Sequence, residues 1–97
     1  MPTIKIPSYF QPFTDWKTEL TVKPGTVGSA LEELFGLFPE MRSHIYTHWG
    51  ILSANVLFYL NQEEIFTRQG LDTPFLDGDK LILVPTASGG NDLATAL

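Results

Sequence analysis

The sequence predicts an α+β fold in which one main helix packs across one face of a mixed sheet. Apolar and polar residues alternate with a period of two near both ends of the chain and again from residue 54. Between these stretches, apolar residues recur at helical spacing over residues 27–38. Helices in the middle of a chain that otherwise forms strands are typical of this architecture.

Two strands with an irregular connection are predicted at the start of the chain. Residues 3–10 alternate at first, and Pro7 then interrupts the pattern, which predicts a strand near its end or at a sheet edge. After the irregular segment "QPFTDW", residues 18–23 alternate again and direct Leu20 and Val22 inward. The two stretches are typical of a hairpin with a long connection.

The main helix is predicted to begin after Thr26, which follows the strand-breaking segment "KPGT" and is a good N-cap residue. Gly36 and Pro39 bracket the end of this helix. A second, shorter helix is expected in "PEMRSHIYTHW", with Pro39 as its first residue and Gly50 as its stop.

The rest of the chain is predicted to return to strands. Residues 54–60 form a strand that is apolar on both faces, and "NQEE" then turns the chain before a short strand at Ile65 and Phe66. The segment "LDGD" predicts a tight turn around Gly78, and residues 80–85 form the last strand. This order of elements is that of the β-grasp fold.

The composition limits the class of protein. With 97 residues, of which 43% are hydrophobic, the chain can build one core and is too short for two. A net charge of −5 and scattered lysine and arginine residues argue against nucleic acid as a partner. No apolar stretch approaches the roughly 20 residues that span a bilayer, so no membrane partner is expected. The N-terminus also lacks a secretory signal pattern, which favours a cytoplasmic protein.

Several stretches resemble the MoaD/ThiS family of sulfur carriers, which are ubiquitin-like β-grasp proteins. The resemblance rests on "PGTVGSALEELFGLFPEM" (residues 24–41), "VLFYLNQEEI" (56–65), "PFLDGDKLILVP" (74–85) and the glycine pair Gly89 and Gly90. Within the family, the opening "IKIPSYFQPFT" and the close "LDGDKLILVPTASGG" are most similar to carriers of the CysO type.

The resemblance implies a function for the glycine tail. In such carriers an ATP-dependent activating enzyme adenylates the carboxylate of the final glycine, here Gly90, which then becomes a thiocarboxylate and donates its sulfur to a biosynthetic enzyme. Glycine lacks a Cβ atom, so Gly89 suits a narrow channel, and Ala87 and Ser88 are the next smallest choices. Because the chain has no cysteine, carried sulfur can reside only on the C-terminal carbonyl.

The seven residues "NDLATAL" depart from the simplest family pattern. While Gly90 is joined to Asn91 by a peptide bond, it has no carboxylate to adenylate. We therefore expect a pro-form that is cleaved between these two residues, and the resemblance makes a JAMM-type metallopeptidase the first candidate. The predicted organisation is a β-grasp domain over residues 1–85, a tail over 86–90 and an extension over 91–97. The alternative is a loose linker that leads to a small terminal helix.

The outer face of the sheet is the candidate interface for a protein partner. Leu57 and Tyr59 alternate with the residues that face the helix, and Ile82 and Val84 have a comparable position in the last strand. Together they predict an apolar patch of the kind that binds proteins. An equally weighted alternative is a face that is closed by Phe10, Phe13 or Trp16.

The titratable residues have ordinary explanations. His44 and His48 would share a helix face with Glu40, yet a zinc site needs further ligands. The acidic pairs fall on the polar side of the main helix or in turns, and they are Glu32 with Glu33, Glu63 with Glu64, and Asp77 with Asp79. We therefore expect no catalytic residues, no metal and no cofactor.

Two functions in different classes remain. The favoured one is a non-enzymatic sulfur carrier for the biosynthesis of cysteine or another sulfur-containing metabolite. The rival is a ubiquitin-like protein modifier or an interaction module without tail chemistry. The small subunit of molybdopterin synthase is disfavoured, because those subunits normally end at the glycine pair.

Overall fold

Seven strands and two α-helices make up the fold in a computed structural model that describes residues 1–86. The strands are β1 (Thr3–Lys5), β2 (Glu19–Thr21), β3 (Gly25–Thr26), β4 (Val56–Leu60), β5 (Glu63–Glu64), β6 (Pro74–Phe75) and β7 (Lys80–Pro85), and the helices are α1 (Val27–Leu37) and α2 (Met41–Ile45). Five strands form one sheet in the order β2-β1-β7-β4-β5, and β3 pairs with β6. In the large sheet β1 and β7 are parallel and the other neighbours are antiparallel.

One hydrophobic core lies between the large sheet and the helices. Phe58 of β4 and Leu83 of β7 are each 1% exposed, and they belong to the same buried cluster as Leu31 and Leu34 of α1. The period-two pattern of the strands and the helical pattern of α1 therefore meet at one interface. The predicted mixed sheet with one main helix across one face is confirmed.

The start of α1 is fixed by a reciprocal capping box. Thr26 Oγ1 accepts a hydrogen bond from the Ser29 N–H at 3.1 Å, and Ser29 Oγ accepts one from the Thr26 N–H at 3.0 Å. The Val27 N–H also donates to the Thr73 carbonyl at 3.0 Å. Three backbone donors at the helix start are thus satisfied, as the cap prediction at Thr26 requires.

The structure distinguishes the two alternatives predicted at Pro7. β1 ends at Lys5, and Pro7 precedes a 3₁₀ helix over Ser8–Phe13. Of the two predicted alternatives, a strand end near the proline is the correct one, because β1 lies between β2 and β7 and not at an edge. β7 comes from the other end of the chain, so no local pattern could indicate it.

The segment after α1 is less helical than predicted. α2 ends at Ile45, and Tyr46 instead forms an antiparallel bridge with Leu52. The Thr47 N–H donates to the Ile51 carbonyl at 2.7 Å, which closes this loop. The expected stop at Gly50 therefore lies within the loop, well after the helix has ended.

The connection after β4 is also displaced from the prediction. Asn61 and Gln62 form the turn with φ angles of 50° and 75°, and the next two residues pair with β4 as β5. Ile65 and Phe66, predicted as a strand, belong to a 3₁₀ helix over Ile65–Thr67. No helix within residues 1–86 is long and apolar enough to cross a membrane.

Candidate functional site

The predicted interface residues come together on one face of the sheet. The antiparallel pairing of β4 and β7 places Leu57 opposite Val84 and Tyr59 opposite Ile82. Directly opposed residues share a face, so the four side chains form one cluster on the side away from α1, which we call the open-face patch. Leu57 is 36% exposed and Ile82 is 41% exposed, while Tyr59 and Val84 are half-buried.

The three aromatic residues considered as a cover for this face lie elsewhere or are exposed. Phe10 is 1% exposed and belongs to the hydrophobic core. Phe13 packs against that core, and its ring stacks on His44 of α2 at a centroid distance of 4.0 Å. Trp16 is 67% exposed. The open-face patch is therefore accessible to a partner, and its use as an interface remains a prediction.

The border of the open-face patch carries charged residues. Lys5 of β1 is registered with Ile82, and its Nζ lies 3.0 Å from Glu19 Oε2 of β2. On the other side, Glu64 of β5 is registered with Tyr59. An apolar centre with a polar border is the usual anatomy of a protein interface.

The last described residue fixes where the tail leaves the domain. The Thr86 N–H donates to the Asn55 carbonyl at 2.8 Å, one residue beyond the pairing of Val56 with Pro85. The tail therefore departs from the same two strands, β4 and β7, that carry the open-face patch. The predicted tail residues lie outside the described part of the chain, and they are Ala87, Ser88, Gly89, Gly90 and Asn91.

The Asn55 loop is itself tied to α2. The Asn55 N–H donates to Ser53 Oγ at 3.1 Å, and the Ser53 N–H donates to the Ile45 carbonyl at 2.7 Å. These contacts connect the start of the tail to the helical side of the core.

The turn before β7 has the geometry that the sequence predicts. Gly78 has a φ angle of 88°, in the left-handed region that favours glycine. Asp79 Oδ2 accepts the Leu76 N–H at 2.8 Å, and Oδ1 accepts Asn61 Nδ2 at 2.9 Å. The backbone hydrogen bond and then the Asn61 amide hold the pKa of Asp79 below its usual value.

A groove of about 910 Å³ beside α2 was not anticipated from the sequence. Tyr46, Arg42 and Glu32 contribute to its lining. Arg42 Nη2 lies 2.8 Å from Glu32 Oε1, and Arg42 Cζ lies 4.7 Å from the Phe35 ring centroid. The positive charge of Arg42 is therefore paired with Glu32 and stacked on Phe35. Burial, with a smaller contribution from Glu32, raises the pKa of Tyr46. The groove depends on the fold of the 46–52 loop, which the sequence pattern does not indicate.

The histidine pair does not share a helix face. His44 is in α2 and stacks on Phe13, whereas His48 lies beyond the helix end and contacts Trp49 edge to face. Within residues 1–86, no group of three or more histidine, aspartate or glutamate residues is arranged to hold a metal ion.

The acidic pairs have partners that suit structural roles. Glu32 pairs with Arg42, and Glu33 Oε1 accepts the Lys23 N–H at 3.2 Å. Asp77 pairs with the amino group of Met1. None of these contacts joins two carboxylates into one site.

Comparisons with known proteins agree with the arrangement of elements. Residues 4–90 match the model of the ThiS family. Sulfur carrier protein CysO of Mycobacterium tuberculosis is 26% identical over 90 residues, which cover 91% of this chain and 97% of that protein. Ubiquitin-related modifier 1 of Encephalitozoon cuniculi is 32% identical over 65 residues, which cover 67% of this chain and 68% of that protein.

A solved structure confirms the fold class. A chain in the crystal structure of the Amycolatopsis orientalis BexX/CysO complex superimposes with a TM-score of 0.82 at 22% identity, and the match covers 93% of this chain and 100% of that chain. The predicted β-grasp fold is therefore correct. With the family match over residues 4–90, the chain belongs to the ThiS family of ubiquitin-like sulfur carriers.

Proposed function

We propose that this chain carries sulfur as a thiocarboxylate on Gly90 and donates it in the biosynthesis of cysteine or another sulfur-containing metabolite. The observation that carries the proposal is the extent of the family match, which runs from residue 4 to residue 90 and stops at the second glycine of the pair. The similarity to CysO supports the same function. In this proposal the chain is not an enzyme, because its partners supply the catalytic groups.

The chemistry needs only a free carboxylate at Gly90. A carboxylate oxygen attacks the α-phosphorus of ATP, pyrophosphate leaves, and an acyl-adenylate forms. A sulfur nucleophile then attacks the carbonyl carbon and AMP leaves, so that sulfur replaces one oxygen. Adenylation is required because a carboxylate repels nucleophiles and has no good leaving group.

The residues before Gly90 suit entry into a partner's active site. Gly89 adds no side chain, and Ala87 and Ser88 add small ones, so a narrow channel admits them. The tail also begins beside the open-face patch, because Thr86 is bonded to Asn55 at the end of β4. A partner that docks on the patch therefore has the tail within reach.

The extension over residues 91–97 requires a processing step. A peptidase hydrolyses the Gly90–Asn91 bond and releases the carboxylate, and a JAMM-type metallopeptidase is our candidate. Intact mass measurement of the protein from its native host checks this step, with Gly90-terminated chains as the expected product. Retention of residues 91–97 in every molecule would contradict it.

Two further partners complete the proposal. One is an ATP-dependent activating enzyme, and the other is a biosynthetic enzyme that accepts the sulfur. The Amycolatopsis orientalis CysO protein was solved in complex with BexX, which supports the binding of a partner protein by chains of this fold. We place the exchange in the cytoplasm, where the activating enzyme finds ATP.

Incubation with ATP, sulfide and the activating enzyme from the same organism tests the proposal. The chain ending at Gly90 is expected to gain the mass of one oxygen-to-sulfur exchange. The chain that retains residues 91–97 is the matched control and is expected to stay unmodified. An inert Gly90-terminated chain would overturn the proposal.

The alternative is a ubiquitin-like protein modifier, which the 32% identity to ubiquitin-related modifier 1 favours. In that case a lysine amine attacks the carbonyl carbon of the Gly90 acyl-adenylate, AMP leaves, and an isopeptide bond forms. Mass spectrometry of trypsin-digested lysates of the native host distinguishes the two functions, because only the modifier leaves lysine-branched peptides that carry residues 81–90, the segment that follows Lys80.

A further inference from the structure

Glu64 lies at the border of the open-face patch. It is opposite Tyr59 in the pairing of β4 with β5, and Tyr59 is opposite Ile82 of β7. The three side chains therefore form one row across the open face. Glu63, its neighbour in the edge strand β5, points to the other side of the sheet and is exposed, with Oε1 3.8 Å from Arg68.

One carboxylate oxygen of Glu64 lacks a hydrogen-bond donor within the described residues. Oε2 is shielded from solvent, and no residue of the described chain donates a hydrogen bond to it. The backbone carbonyl of Glu64 is satisfied by Thr67 Oγ1 at 2.7 Å, so the deficit is confined to the side chain. A shielded polar atom without a partner destabilises the free protein. Such an atom calls for an explanation, and a bound partner that supplies the donor is one.

On the opposite border of the patch, the charged side chains of β1 and β2 form an ion pair. Lys5 and Glu19 neutralise each other at 3.0 Å. Lys80, which shares the face of Ile82 by alternation along β7, is exposed to solvent. Among the described residues of this border, Glu64 is therefore the charged residue with a shielded atom that lacks a donor, and the whole chain has a net charge of −5. A partner surface with a basic group facing Glu64 has the complementary charge.

We propose that Glu64 accepts a hydrogen bond from a lysine or arginine side chain of the activating enzyme, while apolar side chains of that enzyme cover the open-face patch. This inference rests on the proposed carrier function and adds the residue that orients the docked carrier. A charged hydrogen bond formed on docking compensates the shielded Oε2 and fixes the position of the sheet. Glu64 is a positioning residue, since it lies on the sheet and the reacting carbonyl is on the tail.

Titration calorimetry of Gly90-terminated chains with the activating enzyme tests this contact. Glu64→Gln keeps an acceptor oxygen and removes the charge, so it is expected to weaken binding by about tenfold, the difference between a charged and a neutral hydrogen bond. Glu63→Gln removes the same charge from the opposite face and is expected to leave the affinity within about twofold. Equal losses for the two variants, or no loss for Glu64→Gln, would overturn the proposal.

Two further measurements separate docking from folding and from the carrier chemistry. The free Glu64→Gln protein is expected to have an unchanged or higher Tm, because the shielded Oε2 has no donor to lose among the described residues. A clear fall in Tm would show that Glu64 has an internal partner and would contradict the inference. ATP–pyrophosphate exchange with the unsubstituted chain reports on the proposed function alone. If exchange is absent, the carrier function fails; if exchange and docking are the same with Glu64→Gln, only this inference fails.

Discussion

Asp79 stabilises the turn before β7 through both its side chain and its backbone. Its carboxylate accepts hydrogen bonds from Leu76 and Asn61, and its N–H donates to the Leu76 carbonyl at 2.9 Å. These bonds favour the anion and lower the pKa of Asp79 in the folded state. The resulting stabilisation is present above the unfolded-state pKa of about 3.9 and is lost as the pH falls through the folded value.

Asp79→Asn is expected to lower the free energy of unfolding by about 1 kcal/mol at neutral pH, because the turn is exposed and its charged hydrogen bonds are weakened by solvent. The difference between the two proteins should shrink as the pH falls below the folded pKa. Urea unfolding across this pH range measures it, with Asp72→Asn as an exposed control. A difference that does not depend on pH would contradict the role of the charge.

Single residues with local roles are the ones that sequence reasoning identified best. Gly78 was predicted to form a tight turn because "LDGD" combines glycine with residues that bond their own backbone. Glu64 was assigned to a turn, because only the register of β5 with β4 shows that its side chain borders the patch. Its role could not be obtained without tertiary pairing.

Among the elements, α1 depends on the capping box at Thr26. Thr26→Ala removes the acceptor for the Ser29 N–H and is expected to cost about 1 kcal/mol of stability. Thr26→Ser keeps the hydroxyl oxygen and should retain most of it. Thermal or urea unfolding checks the order of the three proteins, and equal losses for the two variants would show that the hydroxyl is not the stabilising group.

The elements that sequence reasoning misplaced are those set by distant contacts. α2 is short because Tyr46 pairs with Leu52 and Ser53 bonds back to Ile45, which bends the chain into a loop. The strand after β4 is displaced because Asn61 and Gln62 adopt positive φ angles and turn the chain earlier than expected. α1 and β7 were predicted correctly, since long periodic patterns indicate an element regardless of its partners.

At the scale of the whole molecule, the two faces of the sheet differ in burial: one packs on the core, and the other is partly exposed. The alternation in β4 and β7 predicted which residues face away from α1, although not whether that face was covered. Ile82→Ser is expected to weaken binding of the activating enzyme by about tenfold and to lower stability by about 1 kcal/mol, because the central strand β7 loses a β-branched, partly exposed side chain. Leu37→Ser is the matched control, since Leu37 is 57% exposed at the end of α1. Calorimetry and unfolding measure both effects, and equal affinities for the two variants would rule out the open face.

The hydrogen bond between Thr86 and Asn55 fixes the point from which the tail extends. Four residues separate Thr86 from the end of Gly90, and an extended chain of that length spans about 14 Å. In the proposed docked carrier, the Gly90 carboxylate lies within this distance of the end of β7. Its local concentration there is millimolar or higher, whatever the concentration of carrier in the cell. The docking affinity then determines which enzyme binds the carrier, and the length of the tail determines how frequently the carboxylate reaches that enzyme's active site.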